Sequence, residues 1–372
     1  MVKKSICIKF LLLWVFAICL SCSGNKKKAI ANDDEIVNFV FVSDQHYGLE
    51  RELNNQILTS EYVNLAMLNA INSLPSVILP NDGGVGSNTK IEGIEMIING
   101  GDISNRMQPN VQSAAESWKQ FQQNFIEKIE TRQKNGALTE LFLIPGNHDV
   151  SNAIGYTSPL NPATDKTVMA EIYNLMIKPK TKVSAEDYDY TSDKIHYVFD
   201  RFGIRFMMIN IWPSAEECLW MDSVMVETPV IIFGHDELDV ELKHLTNPAK
   251  GNPIGDGYEN IISDINIEPG TSVQEQRNMA QWIARNPSVK AYFHGNTNYN
   301  EFYVYRGPDQ NIALNTFRVD SPMKGEYSAF DSSLLSFQVI SININKMEMS
   351  VRECLWARGK DVEWGEVKTI SL

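Results

Sequence analysis

Positive charge is what this sequence has least of. Its 372 residues carry 33 Lys and Arg against 46 Asp and Glu, a formal net charge of -13. No basic stripe, and no basic helix interleaved with aromatics, is present to neutralise a phosphate backbone, so no nucleic-acid partner is expected. That acidity limits nonspecific partners, not the chemistry of a local site, because a bound cation outweighs nearby carboxylates. The apolar run at residues 10–20 is too short to span a bilayer comfortably. There is no internal repeat and no long polar tract that reads as disordered. Histidine is scarce, at six, and cysteine, at five, is too sparse for a disulfide scaffold. An apolar content of 43%, with 10% aromatics, is enough for a sizeable core.

The N-terminus reads as a targeting segment. Lys3, Lys4 and Lys9 precede the apolar run, which ends in Leu20-Ser21-Cys22-Ser23-Gly24. That ending resembles a bacterial lipobox with Cys22 as the lipidated residue, although Cys19 stands where Leu is usual. The expected organisation is a signal peptide over 1–21, a polar tether over 22–35 and one domain over 36–372. The mature chain would then sit in the cell envelope as a lipoprotein, held to the membrane by its lipid and facing the periplasm or the surface. Cleavage leaves Cys218 and Cys354 beside the anchor; a bridge and two buried free thiols are both open.

The body alternates apolar strands and amphipathic helices. Residues 37–43, 94–99 and 141–144 read as strands. Leu58, Tyr62, Leu65, Leu68 and Ile71 recur at helical spacing, as do Trp118, Phe121, Phe125 and Ile129. This βαβαβ opening favours a parallel core. Residues 195–200 and 204–210 flank Arg-Phe-Gly as a hairpin, and 274–285 reads as a helix. Strands dominate from residue 292: 302–305, 312–317, 334–343 and 347–354. The expected fold is α/β, with two mixed sheets packed face to face and helices outside. Residues 75–93, 151–193 and 246–271 read as excursions; the first and last, rich in Gly, Pro and Asn, are expected as loops near the site.

Five polar groups close five apolar runs: Asp44-Gln45-His46 after VNFVFVS, Gly101-Asp102 after IEMIING, Asn147-His148-Asp149 after ELFLIPG, His235 after PVIIFG, and Asn296-Thr297-Asn298 after VKAYFHG. Loops at the ends of neighbouring strands converge, so five such loops can assemble one site. Asp, His and Asn form the ligand set of a hydrolytic metal centre. Alone, Asp-x-His or Gly-Asp is a common solvated turn, and a lone His is usually a satisfied core residue. Four of the six histidines (His46, His148, His235 and His294) fall at these junctions, which decides for a site. Spacing two residues apart would aim Asp44 and His46 the same way on an extended backbone. By contrast, His244 reads as part of a solvated helix face and His196 as structural. Arg318, Asp320 and Lys324 read equally well as pocket wall or as surface polarity.

The ordered set resembles the calcineurin-like metallophosphoesterases, whose pattern is Asp-x-His, Gly-Asp, Gly-Asn-His-Asp/Glu, Gly-His and Gly-His-x-His. The resemblance covers roughly residues 38–298. It implies a four-layer α/β/β/α sandwich and two divalent metal ions, drawn from Mn, Fe, Zn, Mg or Ca. It also implies hydrolysis of phosphate mono- or diesters by a hydroxide bridging the metals, acting on a small phosphoester substrate. Carried over, Asp44 and His46 bind one metal, Asp102 bridges, and Asn147 and His235 bind the other. His148 faces the substrate, oriented by Asp149.

The last motif departs from the pattern. Gly295-Asn296-Thr297-Asn298 stands where Gly-His-x-His is expected, so Asn296 and Asn298 occupy two ligand positions. A neutral amide oxygen shifts preference from zinc toward Mn²⁺, Mg²⁺ or Ca²⁺. His294 is a candidate compensating ligand. The outcomes open to the sequence are a dinuclear site with Asn ligands, a site with one firm metal, or a degenerate fold kept for binding. Asn105 stands where purple acid phosphatases place an iron-binding Tyr, which argues against a tyrosinate-iron centre.

Overall fold

Val40 and Val42 pack outward from the first strand while Phe39 and Phe41 pack inward, and that period of two sets the layering. The computed structural model describes residues 35–53, 55–105, 112–150, 165–213, 215–239, 242–244, 261–263, 271–358 and 362–372. The expected signal segment, Cys22 and the tether up to residue 34 lie outside the described residues, as does most of the 246–271 excursion. The first part runs β1 (Ile36–Val42), a ribbon of β2 (Glu50–Leu53) and β3 (Gln56–Thr59), α1 (Ser60–Ser73), β4 (Met96–Asn99), α2 (Ala114–Asn124), β5 (Glu140–Leu143), the single turn α3 (Asn147–Val150) and α4 (Thr167–Met176). Next come β6 (Tyr197–Arg201), β7 (Ile204–Met208), α5 (Ala215–Ser223), β8 (Val230–Phe233), the short pair β9 (Leu242–His244) and β10 (Ile261–Ser263), and α6 (Thr271–Arg285). Strands β11 (Val289–His294), β12 (Glu301–Tyr305), β13 (Leu314–Arg318), β14 (Ser336–Asn343), β15 (Glu348–Leu355) and β16 (Glu363–Ser371) complete the chain.

Two six-stranded mixed sheets result, ordered β16-β15-β14-β1-β4-β5 and β12-β13-β11-β8-β7-β6. Phe39, Phe41, Ile98 and Ile340 of the first interleave with Phe206, Phe233, Phe293 and Phe317 of the second. Ring centroids stand 5.5 Å apart for Phe41–Phe293 and 5.7 Å for Phe39–Phe206. The opposite face of the first sheet is covered by Met67, Leu68, Ile71, Trp118, Phe121 and Ile172 from α1, α2 and α4. The second is covered by Met221, Met279, Trp282 and Ile283 from α5 and α6. This is the expected four-layer α/β/β/α sandwich.

Local differences have local causes. Leu58 belongs to β3, not to the first helix, because Thr59 caps α1 by accepting from the Tyr62 N–H. Ile129 lies beyond α2, which ends at Asn124. The 151–193 excursion contains α4, whose Val168, Met169, Ala170 and Ile172 are core residues. Residues 242–244 form a strand, so His244 is not on a helix. The edge strand β16 had no strong alternation to announce it, with exposed and half-buried positions along most of its length. His196 is structural, its ring stacked on Trp220 at 3.9 Å and its Nδ1 3.1 Å from Glu217. Cys218 and Cys354 are free thiols.

Candidate metal centre

The site begins with strand register. Val42 lies level with Asn99, and Asn99 with Leu143; in the other sheet Phe233 lies level with Phe293, and Phe293 with Phe317. Parallel strands ending at one level release their loops at one edge, so distant polar segments meet there. The first two loops zip together: Asp44 N–H donates to Gly101 O at 2.9 Å, His46 N–H to Asp102 O at 2.9 Å and Tyr47 N–H to Ile103 O at 2.8 Å. Gly295 N–H donates to His235 O at 3.1 Å, joining the last two.

Asp44, His46, Asp102, Asn296 and Asn298 all have left-handed backbone, with φ of 56°, 42°, 54°, 66° and 62°. Asp44 and His46 therefore meet through a tight turn, not through the extended segment their spacing suggested. Five such non-glycine residues in one loop cluster mark a site where strain is held by surrounding bonds.

Asp102 is central. Its Oδ2 is 3.5 Å from His46 Nε2 and 4.0 Å from His148 Nε2, and its Oδ1 is 3.4 Å from His235 Nε2. His46, Asp102 and His148 form one buried triad able to hold a cation; Asp44, Asp102 and His235 form a second. Asp102 is common to both, the position a bridging ligand needs. The grouping differs from the expected division in setting His148 beside His46, with ring centroids 4.9 Å apart. Asn147 Oδ1 is 2.9 Å from His235 Nε2, while His235 Nδ1 is 2.7 Å from Gly100 O. That carbonyl fixes the ring and aims Nε2 inward, a common support for a metal-binding imidazole.

The charges are strongly coupled. Burial works to raise the Asp102 pKa, but His235, His148 and His46 together hold it well below the usual carboxylate range. Burial works to lower the His235 pKa, yet Asp102 outweighs it and pushes the imidazole well up. Burial and Lys324 push His148 well down and His46 down.

Asp149 is buried under Asp102 and ties the loops together. Its carboxylate accepts from Gly146 N–H at 2.9 Å, Ile103 N–H at 3.2 Å and Ser104 N–H at 2.9 Å. The His148 backbone is held alongside: its N–H donates to Asp102 Oδ1 at 2.8 Å, and Ser104 Oγ donates to His148 O at 3.3 Å and to Asp149 Oδ1 at 3.1 Å.

Asn296 and Asn298 are held with their oxygens left over. Asn296 N–H donates to Asp44 Oδ2 at 3.0 Å, and its Nδ2 donates to Glu237 Oε2 at 3.0 Å. Asn298 Nδ2 donates to Asn296 O at 2.7 Å, and its Oδ1 is buried without a hydrogen bond among the described residues. His294 corrects an expectation. Its Nδ1 lies 3.0 Å from Gly295 O and its Nε2 3.0 Å from Tyr303 OH, so neither nitrogen is offered to a cation.

The donor set fits a cation pair on physical grounds. Asp44 Oδ1 and both ring nitrogens of His46 are buried without hydrogen bonds among the described residues. Such atoms cost roughly 1–3 kcal/mol each when unsatisfied, a cost that a bound cation removes.

Glu237 and Ser321 at the site were not assigned from sequence, and Lys324 reads there equally as pocket wall or surface polarity. Glu237, three residues after Gly234, also accepts from the Thr297 hydroxyl. Ser321 Oγ donates to Asp44 O at 2.7 Å, and Lys324 Nζ lies 3.2 Å from His148 Nε2. The signal for the last two is that they follow β13, a buried strand ending at the same edge. Arg318 pairs with Glu301 and covers the Tyr299 ring at 3.6 Å, while Asp320 is buried.

The family model for calcineurin-like phosphoesterases matches residues 37–299. A dimetal phosphatase from Danio rerio superposes with a TM-score of 0.51 at 10% identity, covering 90% of this chain and 98% of that one. A single-substitution variant of Vps29 from Entamoeba histolytica gives a TM-score of 0.32 at 10% identity, covering 90% and 100%. Wild-type Vps29 with zinc from the same organism gives 0.30 at 9%, covering 90% and 98%. A search of curated proteins returns no match. With most of its length matched, and with the fold shared with the first of these structures, the chain belongs to the calcineurin-like phosphoesterase family.

Proposed function

We propose that this protein is a metal-dependent phosphoesterase that hydrolyses small phosphate mono- or diesters at the cell envelope. The observation that carries the reading is Asp102, shared by two buried triads beside acceptors that have no hydrogen bond among the described residues. Asp44, His46, Asn147, His235, Asn296 and Asn298 would hold two divalent cations with Asp102 between them. Bound there, the cations lower the pKa of a water and neutralise phosphate oxygens. His148, buried in the same cradle with Nε2 3.2 Å from Lys324 Nζ, would donate to a phosphoryl or leaving oxygen instead of holding a cation. Asp149 keeps the Asp102 and His148 loops in register. Support for the location is sequence alone: the basic start, the short apolar run and Cys22 in a lipobox-like setting.

The test uses the full-length protein in detergent, stripped of metal and reloaded with Mn²⁺, Zn²⁺, Mg²⁺ or Ca²⁺. Chromogenic phosphate monoester and diester are assayed beside Asp102→Ala. Metal-dependent turnover, abolished in a variant that keeps its circular dichroism, is expected. Normal turnover by Asp102→Ala would place the reaction elsewhere, and no turnover with any metal would favour a binding role.

A further inference from the structure

We infer that Lys324 binds the substrate phosphate and, paired with His148, selects the dianionic head of a phosphate monoester over a diester. The inference rests on the phosphoesterase reading above and names the substrate class of that site.

Position is the first support. The Lys324 Nζ lies 3.2 Å from His148 Nε2; burial works against its charge and lowers its pKa, while Asp102 and Asp44 favour the charge. Among the described residues it makes no ion pair within 4 Å, although nine other Lys and Arg side chains do. The residue is half-buried, whereas His148, Asp102 and Asp44 are buried. A cation left unpaired at the rim of a polar cradle has its attraction to spare for an anionic ligand. Once Asp44 and Asp102 are committed to cations, their charge no longer serves Lys324. The counter-ion must then come with the substrate.

Delivery is the second. The loop carrying Lys324 is bolted to the cradle and does not drift over it. Ser321 Oγ donates to Asp44 O at 2.7 Å and accepts from Lys324 N–H at 2.8 Å. Buried Arg51 donates to Ser321 O at 3.2 Å, Pro322 O at 2.6 Å and Ser328 Oγ at 2.9 Å, and Ser328 Oγ in turn donates to Asp320 Oδ2 at 3.0 Å. So many bonds on one short loop fix where the lysine stem begins, relative to the backbone of a candidate metal ligand. Lys324 also lies outside residues 37–299, the stretch matched by the family model.

Chemistry sets the selectivity. A phosphate monoester carries about -1.5 to -2 charges at pH 7 and three terminal acceptor oxygens. A diester has one charge and one terminal oxygen fewer. A lysine binds phosphate as a point charge, so it rewards the extra charge more than it rewards shape. The His148–Lys324 pair offers donors for that additional oxygen.

The experiment compares wild type, Lys324→Met and Lys324→Arg as full-length, Mn²⁺-loaded proteins. Metal content, inorganic phosphate affinity by calorimetry, and kcat/KM for 4-nitrophenyl phosphate and bis(4-nitrophenyl) phosphate are measured. Lys324→Met should keep its metal, bind phosphate about 10- to 100-fold more weakly, and lower the monoester-to-diester ratio by about tenfold. Lys324→Arg should recover part of the phosphate affinity. Unchanged phosphate affinity, equal losses on both esters, or loss of metal would overturn the assignment. If wild type turns over neither ester, the phosphoesterase reading fails, and phosphate calorimetry still decides whether Lys324 binds phosphate.

Discussion

How two asparagines can stand where the family pattern has histidines is answered by what holds their amides. Glu237 takes the Asn296 NH₂, and the Asn296 carbonyl takes that of Asn298, so the oxygen is the end left over in both. Glu237 therefore acts through Asn296 as a positioning residue. Glu237→Ala should weaken metal binding by about 10- to 100-fold, the usual size for a lost supporting bond, with little change in fold. Competition with a chelator dye measures this; an unchanged affinity would remove Asn296 from the cation's surroundings. The same scale explains one failed expectation. Placement at a strand end brought His46, His148 and His235 into the cradle, but His294 is still within β11 and turns to Tyr303. One residue of strand separates an inward ring from a packed one, and no local signal marks that difference.

Elements matter here mainly through their ends. The loops after β1, β4, β5, β8 and β11 approach so closely that the glycines between them are space requirements. A Cβ at Gly295 would fall on the Asp44 carboxylate and on Ser43. Gly295→Ala should therefore cost roughly 1–3 kcal/mol by overpacking and lower metal content, because Asp44 must move. A melting curve and a metal assay check both; full metal content at an unchanged melting temperature would show that the loops yield freely. Buried or alternating strands were readable from sequence, as was the 201–203 hairpin turn, where Phe202 and Gly203 have φ of 57° and 74°. The β16 edge and α4 were not, because an edge strand needs little apolar pattern and α4 lies in a stretch with weak punctuation.

Across the whole molecule, the C-terminal part completes what the N-terminal part begins. Strand β14 pairs with β1 along six residues, and Arg51 in β2 grips the 321–328 loop. Asp320, inside that grip, has its pKa pushed up to about 8 by burial, against the pull of Ser328 and Arg51. Unfolded, it returns to 3.8. Between about pH 4 and 8 the native protein thus holds a proton that the unfolded chain has released, and this group makes stability fall as pH rises through that window. Asp320→Asn removes that contribution. Its melting temperature relative to wild type, both metal-free, should climb from pH 5 to pH 9. A flat difference would mean the carboxyl is not held protonated.

Sequence by itself determined the alternation of strands and helices, the two-sheet sandwich and the identity of most polar residues at the strand ends. Those are properties of period, burial and motif order, which a chain carries locally. Tertiary structure alone decided that Asp102 belongs to two triads, that Asp149 pins loops, that His294 faces away and that Lys324 meets His148 across 176 positions. The physical reason is register. Which loop ends lie level, and which side of a left-handed turn a carboxylate leaves from, depend on pairings between strands far apart in the chain.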